Sequence, residues 1–182
     1  MFYTSFSAGA YSYVYSNDMN GDGLNADLIY IPNSVNDLKW VSEEDMNAFK
    51  TFMDNDPYLS THKGQYAEAY AGRSPWVHFL DARIAKNFKK TIGNTTHNFE
   101  LSVNFDNVLN MFDSSLGLYK YSCYDFTDAI TPLMIDHFED NTPVFSMNKL
   151  KNGEYPTNTY TQYDEKSFSQ CWSVLFGLKY RF

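Results

Sequence analysis

Residues 171–182, CWSVLFGLKYRF, constrain this chain more than any other stretch. Counted in twos from the last residue, Phe182, Tyr180, Leu178, Phe176, Val174 and Trp172 fall on one face. Arg181, Lys179, Gly177, Leu175, Ser173 and Cys171 fall on the other. Side chains of a β-strand alternate between its two sides, so the pattern predicts one apolar and one polar flank, broken only by Leu175 and Cys171. The stretch is long enough for a tilted strand to cross a bilayer, which takes about 9–11 residues. Aromatic residues stand near both ends of the apolar flank, where interfacial girdles belong. A soluble edge strand would show the same alternation, so the rest of the chain has to discriminate.

Three other stretches repeat the pattern. Residues 2–16, FYTSFSAGAYSYVYS, read as one strand with Gly9 as a bulge or bend. In it Tyr11, Tyr13 and Tyr15 alternate with Ser12, Val14 and Ser16, which suits a membrane–water boundary where the ring is buried and the hydroxyl stays wet. In residues 75–90, Trp76, Leu80, Ala82, Ile84 and Phe88 share a face with His78 and Lys86, while Asp81, Arg83 and Asn87 take the other. In residues 96–110, Phe99, Leu101, Val103 and Phe105 oppose Asn98, Glu100, Ser102, Asn104 and Asp106. The expected fold class is therefore all-β and antiparallel. It has four long membrane-spanning strands, about 2–16, 75–90, 96–110 and 168–182. The connections run long, short, long. Outer-membrane barrels have long extracellular loops and short periplasmic turns, so 17–74 and 112–167 are expected to be extracellular.

Within the first long connection, Ser42 followed by acidic residues predicts a short helix near 42–54. Val41, Met46, Phe49, Phe52 and Met53 form its apolar stripe. Just before it, DMNGDG sets Asp18, Asn20 and Asp22 at the alternate spacing of a calcium loop, with Gly23 at the sharp turn. Asp27 falls two places short of the twelfth position, where Ile29 stands instead of a bidentate acid. The competing reading is a Gly/Asn/Asp turn at a strand end. In the second connection, LGLYKYSCY and PVFSMN have strand character and are expected to pair as a hairpin.

Bulk properties exclude several classes. Aromatic residues make up 18% of the chain, yet no apolar run approaches the roughly 18 residues of a transmembrane helix. A net charge of −8 argues against a nucleic-acid partner, whose phosphates need Lys and Arg. Cys123 and Cys171 are expected as two thiols rather than a bridge. His62, His78, His97 and His137 are scattered, and no nucleophile–base pairing stands out, so enzymatic activity is not expected. MFYTSFSAGA has neither the basic start nor the apolar core of an export signal, which suggests a piece of something longer.

The closing strand resembles the C-terminal strand of bacterial outer-membrane β-barrel proteins. Their assembly signal is a glycine, two residues, an apolar residue, one residue and a final aromatic, here Gly177, Tyr180 and Phe182. Leu175 departs from the polar residue usual two places before the glycine. A wider resemblance is carried by AYSYVYSNDMNGDGLNADLIYIP (10–32), YLSTHKGQYAEAYAGRSPW (58–76), FLDARIAKNF (79–88), FELSVNFDNVLNMFDS (99–114) and FGLKYRF (176–182). Together these resemble the C-terminal part of TonB-dependent outer-membrane receptors, in the subtype with a carboxypeptidase-regulatory-like domain. NVLNMF (107–112) is similar to that family's Asn-Leu-Phe motif.

The resemblance implies the last four strands of a 22-stranded barrel in the cell outer membrane, with no plug domain in this chain. It implies TonB-energised uptake of a large nutrient: an oligosaccharide, a peptide or a metal complex. The implied partners are outer-membrane lipid, the rest of the barrel and its plug, TonB and the barrel-assembly machinery. The alternative is a soluble β-sandwich binding module assisted by calcium.

Overall fold

The computed structural model of the chain describes residues 1–7, 9–124, 129–162 and 170–182. In chain order the elements are β1 (Phe2–Ser7), β2 (Ala10–Tyr15), β3 (Tyr30–Ile31), β4 (Lys39–Trp40), α1 (Glu43–Asn55), β5 (Gln65–Tyr66) and β6 (Gly72–Arg73). There follow β7 (Trp76–Ile92), β8 (Thr95–Asp106), α2 (Val108–Phe112), β9 (Lys120–Ser122), β10 (Ala129–Glu139), β11 (Thr142–Met147), β12 (Tyr160–Gln162) and β13 (Ser173–Arg181). They divide between two compact units.

The first unit comprises Met1–Phe6, Trp76–Lys120 and Gln162–Phe182. Its sheet has the order β1-β7-β8-β13, with β7, β8 and β13 antiparallel. The β7–β8 turn closes on the Ile92–Thr95 pair, and Gly93 takes φ +62°, the conformation that a two-residue hairpin demands at its first central position. Register then sorts the side chains into cross-strand rows. Ala82, Phe105 and Val174 form one row; Ile84, Val103 and Phe176 the next. Lys86, Leu101 and Leu178 follow, then Phe88, Phe99 and Tyr180. The opposite face carries Arg83, Asn104 and Leu175, then Ala85, Ser102 and Gly177, then Asn87, Glu100 and Lys179. The apolar and polar periods of three strands are thus in phase. The sheet is open, and no barrel closes among the described residues.

The second unit comprises Ser7–Pro75 and Tyr121–Thr161. Its sheet is mixed, in the order β4-β11-β10-β2-β6. The β10–β11 hairpin turns on Asp140 and Asn141, both at positive φ, as its two-residue loop requires. β10 lies parallel to β2, and β11 parallel to β4. Helix α1 starts at Ser42, whose hydroxyl accepts from the Asp45 N–H, and buries Phe49, Phe52 and Met53. These join Tyr11, Tyr13, Tyr15, Ile29, Ile31, Ile130, Leu133 and Phe145 in one core. Gly72 is required beside Tyr11: a Cβ there would stand 2.2 Å from the ring.

Several expectations are corrected. The strand expected over 2–16 ends at Ser7, and β2 enters the other sheet. Tyr11, Tyr13 and Tyr15 are buried rather than interfacial, because both sides of β2 are covered. The strand expected to reach residue 110 stops at Asp106, where Asn107 turns left-handed (φ 52°) and opens α2. The last strand begins at Ser173; residues 168 and 169 lie outside the described ones. PVFSMN pairs with β10, not with LGLYKYSCY. The helix matches its expected span to within one residue at each end, although Val41 is exposed rather than part of the stripe.

The helix stripe yields a stability test. Phe52→Ala leaves a cavity under α1 and should cost about 3–5 kcal/mol. Val41→Ala should stay within about 0.5 kcal/mol. Near-UV dichroism through urea unfolding measures both, and equal effects would show that α1 does not anchor this core.

Candidate functional site

The rows of the first unit build a two-sided surface. Ile84, Phe88, Leu101, Phe176 and Leu178 are all exposed, Phe176 to 80%. An apolar patch of this extent on a water-facing sheet is an interaction surface or an aggregation hazard. From Trp76 to Phe88 the face runs roughly 40 Å along the strand. Each end carries a histidine–tyrosine pair. Tyr3 and His78 share a 2.6 Å hydrogen bond with stacked rings, and His97 and Tyr180 share one of 2.5 Å. Tyr180 also stacks on Phe99, with ring centres 4.7 Å apart, and on Phe182. Two of the three expected assembly-signal residues therefore sit in one aromatic cluster near the β7–β8 turn. The third, Gly177, stands across from Ser102, whose Oγ would lie 2.6 Å from a Cβ at that position.

At the other end of the sheet, the NVLNMF stretch is a clasp. The Asn107 backbone N–H donates to Asp81 of β7 at 2.8 Å. Its side-chain Nδ2 donates to the carbonyls of Gly117 and Gln170, at 2.9 and 2.8 Å. The Asn110 amide donates to Ser114 and Leu116, and its oxygen accepts from the Trp172 N–H. Two asparagines thereby tie β7, the end of β8 and the entry to β13. Asparagine suits the left-handed position better than any residue but glycine, and it brings an amide that glycine lacks.

The expected calcium-loop residues do come together. Asp18 Oδ1 accepts from the Gly21 N–H and Oδ2 from the Gly23 N–H, both at 2.7 Å. Asp22 accepts from the Leu24 N–H, and Asp27 from the Met19 N–H. At the centre, Asn20 Nδ2 donates to Asp22 and Asp27, at 3.1 and 2.8 Å. A hard cation needs oxygens on every side, so calcium binding would require this amide to turn over. Among the described residues, no group of three or more His, Cys, Asp or Glu side chains is arranged to hold a metal ion. The Gly23 N–H, ahead of that of Gly21, holds the Asp18 carboxyl below its ordinary pKa.

Two buried carboxylates escaped the sequence reading. Asp56, at the C-terminus of α1, accepts from the hydroxyls of Tyr13 and Thr159 and from the N–H groups of Tyr58 and Leu59. Asp45, in the first turn, accepts from the Met147 N–H, the Tyr155 hydroxyl and the Ser42 hydroxyl. The sequence cue was Asp-Pro at the helix end, a stop signal that says nothing about what the carboxylate meets. Burial, then the nearby Asp56, pushes the Tyr13 phenol far up, so it remains a donor throughout the neutral range. Cys123 and Cys171 form no disulfide, and burial raises the Cys123 thiol to about 12.

Comparisons with protein-family models, with curated proteins and with solved structures return no match.

Two measurements test this geometry. Asn107→Ala removes two side-chain hydrogen bonds and strains the left-handed backbone, an expected loss of about 2–3 kcal/mol. Asn107→Gly should lose about 1 kcal/mol less. Equal urea midpoints for Asn107→Ala and the parent would refute the clasp. For Asp18 the depressed pKa means that its hydrogen bonds stabilise the loop above the ordinary value of 3.8 and are lost as pH falls through the lower folded value. The Gly23 amide resonance should hold steady down to that point and move only below it.

Proposed function

We propose that this chain is the C-terminal portion of the barrel of a TonB-dependent outer-membrane receptor, working in the uptake of a large nutrient across the outer membrane. The observation that carries the reading is the phase agreement of β7, β8 and β13. Four successive rows are apolar on one face except for Lys86, and polar on the other except for Leu175, Ala85 and Gly177. One flank suits hydrocarbon and the other a wet lumen. Aromatic and histidine side chains mark both ends of the apolar flank, at about the spacing of the two membrane interfaces.

Four strands do not enclose a lumen, since even small barrels use about eight, so the working partner is the remainder of a barrel and its plug. TonB and the barrel-assembly machinery act on that whole. On this reading the long connections, 17–74 and 112–167, are extracellular and offer a surface for the nutrient, be it oligosaccharide, peptide or metal complex. A soluble β-sandwich fits less well, because it would bury the face that carries Phe176 and Leu178.

The three tryptophans provide the test. Trp76 and Trp172 are exposed at the end of the apolar flank away from the β7–β8 turn, while Trp40 of the second unit donates its indole N–H to the Val35 carbonyl at 2.7 Å. Variants that keep one tryptophan each are refolded into vesicles of phosphatidylcholine brominated near the top of the acyl chain. Fluorescence of Trp76 and Trp172 should be quenched and that of Trp40 spared. Phe176→Arg should weaken insertion by about 2–4 kcal/mol, and Ser102→Arg, on the polar face, by much less. Uniform quenching of all three, or of none, would sink the reading.

A further inference from the structure

One residue does not belong on the apolar flank. Lys86 shares its row with Leu101 and Leu178 and is exposed. Four residues on, Lys90 shares the same face and pairs with His97. Between them lies the aromatic row Phe88, Phe99 and Tyr180. Rows on one face are about 6.8 Å apart, so a four-carbon stem from Lys86 reaches the aromatic level, as lysines do at membrane interfaces. Among the described residues, no carboxylate lies within 4.0 Å of Lys86, Lys89, Lys90, Lys179 or Arg181.

The charge of the chain segregates here. Its 22 acidic side chains outnumber its 14 Lys and Arg, yet residues 83–104 and 177–182 hold Arg83, Lys86, Lys89, Lys90, Lys179 and Arg181 against the single acid Glu100. Glu100 is engaged by Arg83 at 2.7 Å on the polar face, which leaves the lysines of the apolar face without a counter-charge.

We propose that Lys86 and Lys90 grip the phosphates of anionic phospholipid headgroups, at the level of the Phe88–Phe99–Tyr180 row. The inference rests on the membrane reading and adds a lipid preference to it. Phosphate supplies what the row lacks: an anion at the aromatic depth, reached by one lysine from the hydrocarbon side and by the other from the water side. Lys89, Lys179 and Arg181 project from the opposite face and contribute only to the surrounding field.

Vesicle flotation of the full chain distinguishes the possibilities. Vesicles of phosphatidylcholine alone are compared with vesicles that also contain phosphatidylglycerol. The chain should prefer the anionic vesicles. Lys86→Gln and Lys90→Gln should each weaken that binding about fivefold, the equivalent of ~1 kcal/mol, and leave binding to phosphatidylcholine unchanged. Lys86→Arg should restore the preference. Lys89→Gln and Lys179→Gln should weaken it by less than either. Excess inorganic phosphate at constant ionic strength should not compete, whereas competition would point to a site for the free anion and overturn the proposal. Equal binding to both vesicles with Trp172 still quenched by brominated lipid overturns the headgroup site and leaves the membrane reading standing. Equal losses from lysines on the two faces overturn it as well, since the attraction would then be diffuse. Failure to associate with either vesicle overturns both.

Discussion

Everything in the first unit depends on register. A strand alternates with period two, so a slip of one residue between β8 and either neighbour would move a whole set of apolar side chains to the polar face. The chain pins the pairing at three places. Gly93 fixes the β7–β8 offset at the turn. Asn107 fixes it at the other end, through Asp81 and the carbonyls of Gly117 and Gln170. Tyr180 on Phe99, and Gly177 across from Ser102, fix β13 in between. Each contact is modest alone, but together they leave one alignment, and that alignment makes the two faces.

What could be read from the sequence follows from how local its cause is. β8, β13 and α1 were legible because each carries its full pattern within about a dozen residues: two clean alternations and a capped helical stripe. β2 was misread because tyrosine suits either a boundary or a core, and Tyr11, Tyr13 and Tyr15 alternate in identity without alternating in burial. β10, central to the mixed sheet, was missed outright. Pro132 within ITPLMID argues against an inner strand, since proline donates nothing to the ladder. The fold accommodates it with a register shift between Ile130 and Leu133, where β10 meets β2. No local signal announces that shift. Of the candidate site, the apolar flank and NVLNMF were visible as patterns. The histidine–tyrosine pairs and the Asn107 clasp were not, because they join residues about 60 to 80 apart.

In the second unit the buried carboxylates occupy opposite ends of one helix. Asp45 lies in the first turn of α1, where the helix dipole favours an anion, and also satisfies the Met147 N–H of β11. Asp56 lies at the last turn, where the dipole is unfavourable, and is compensated by four donors. Desolvation of such a group is costly unless its hydrogen bonds are complete. This explains why a sheet built from distant segments docks on α1 in one way: only the observed approach of β2 brings the Tyr13 hydroxyl to Asp56. The long connections therefore carry a core of their own and are not structureless excursions.

The two units dispose of apolar surface in opposite directions. In the second, tyrosines and phenylalanines alternate along short strands and converge inward, with α1 closing over them. In the first, longer strands with the same kinds of residue hold their apolar side outward. Composition does not separate the two cases; length and phase do. A strand of six residues, such as β2, is too short to span a hydrocarbon layer, and its aromatic side chains are stabilised by burial within the protein. A strand of 17, such as β7, in phase with β8 and carrying a lysine on its apolar flank, would pay heavily to bury that lysine in a protein core. Facing a bilayer, the same side chain reaches the headgroup level while its stem stays among Leu101 and Leu178. On the proposed membrane reading, an exposed lysine in an apolar row is accounted for by its reach to the headgroups.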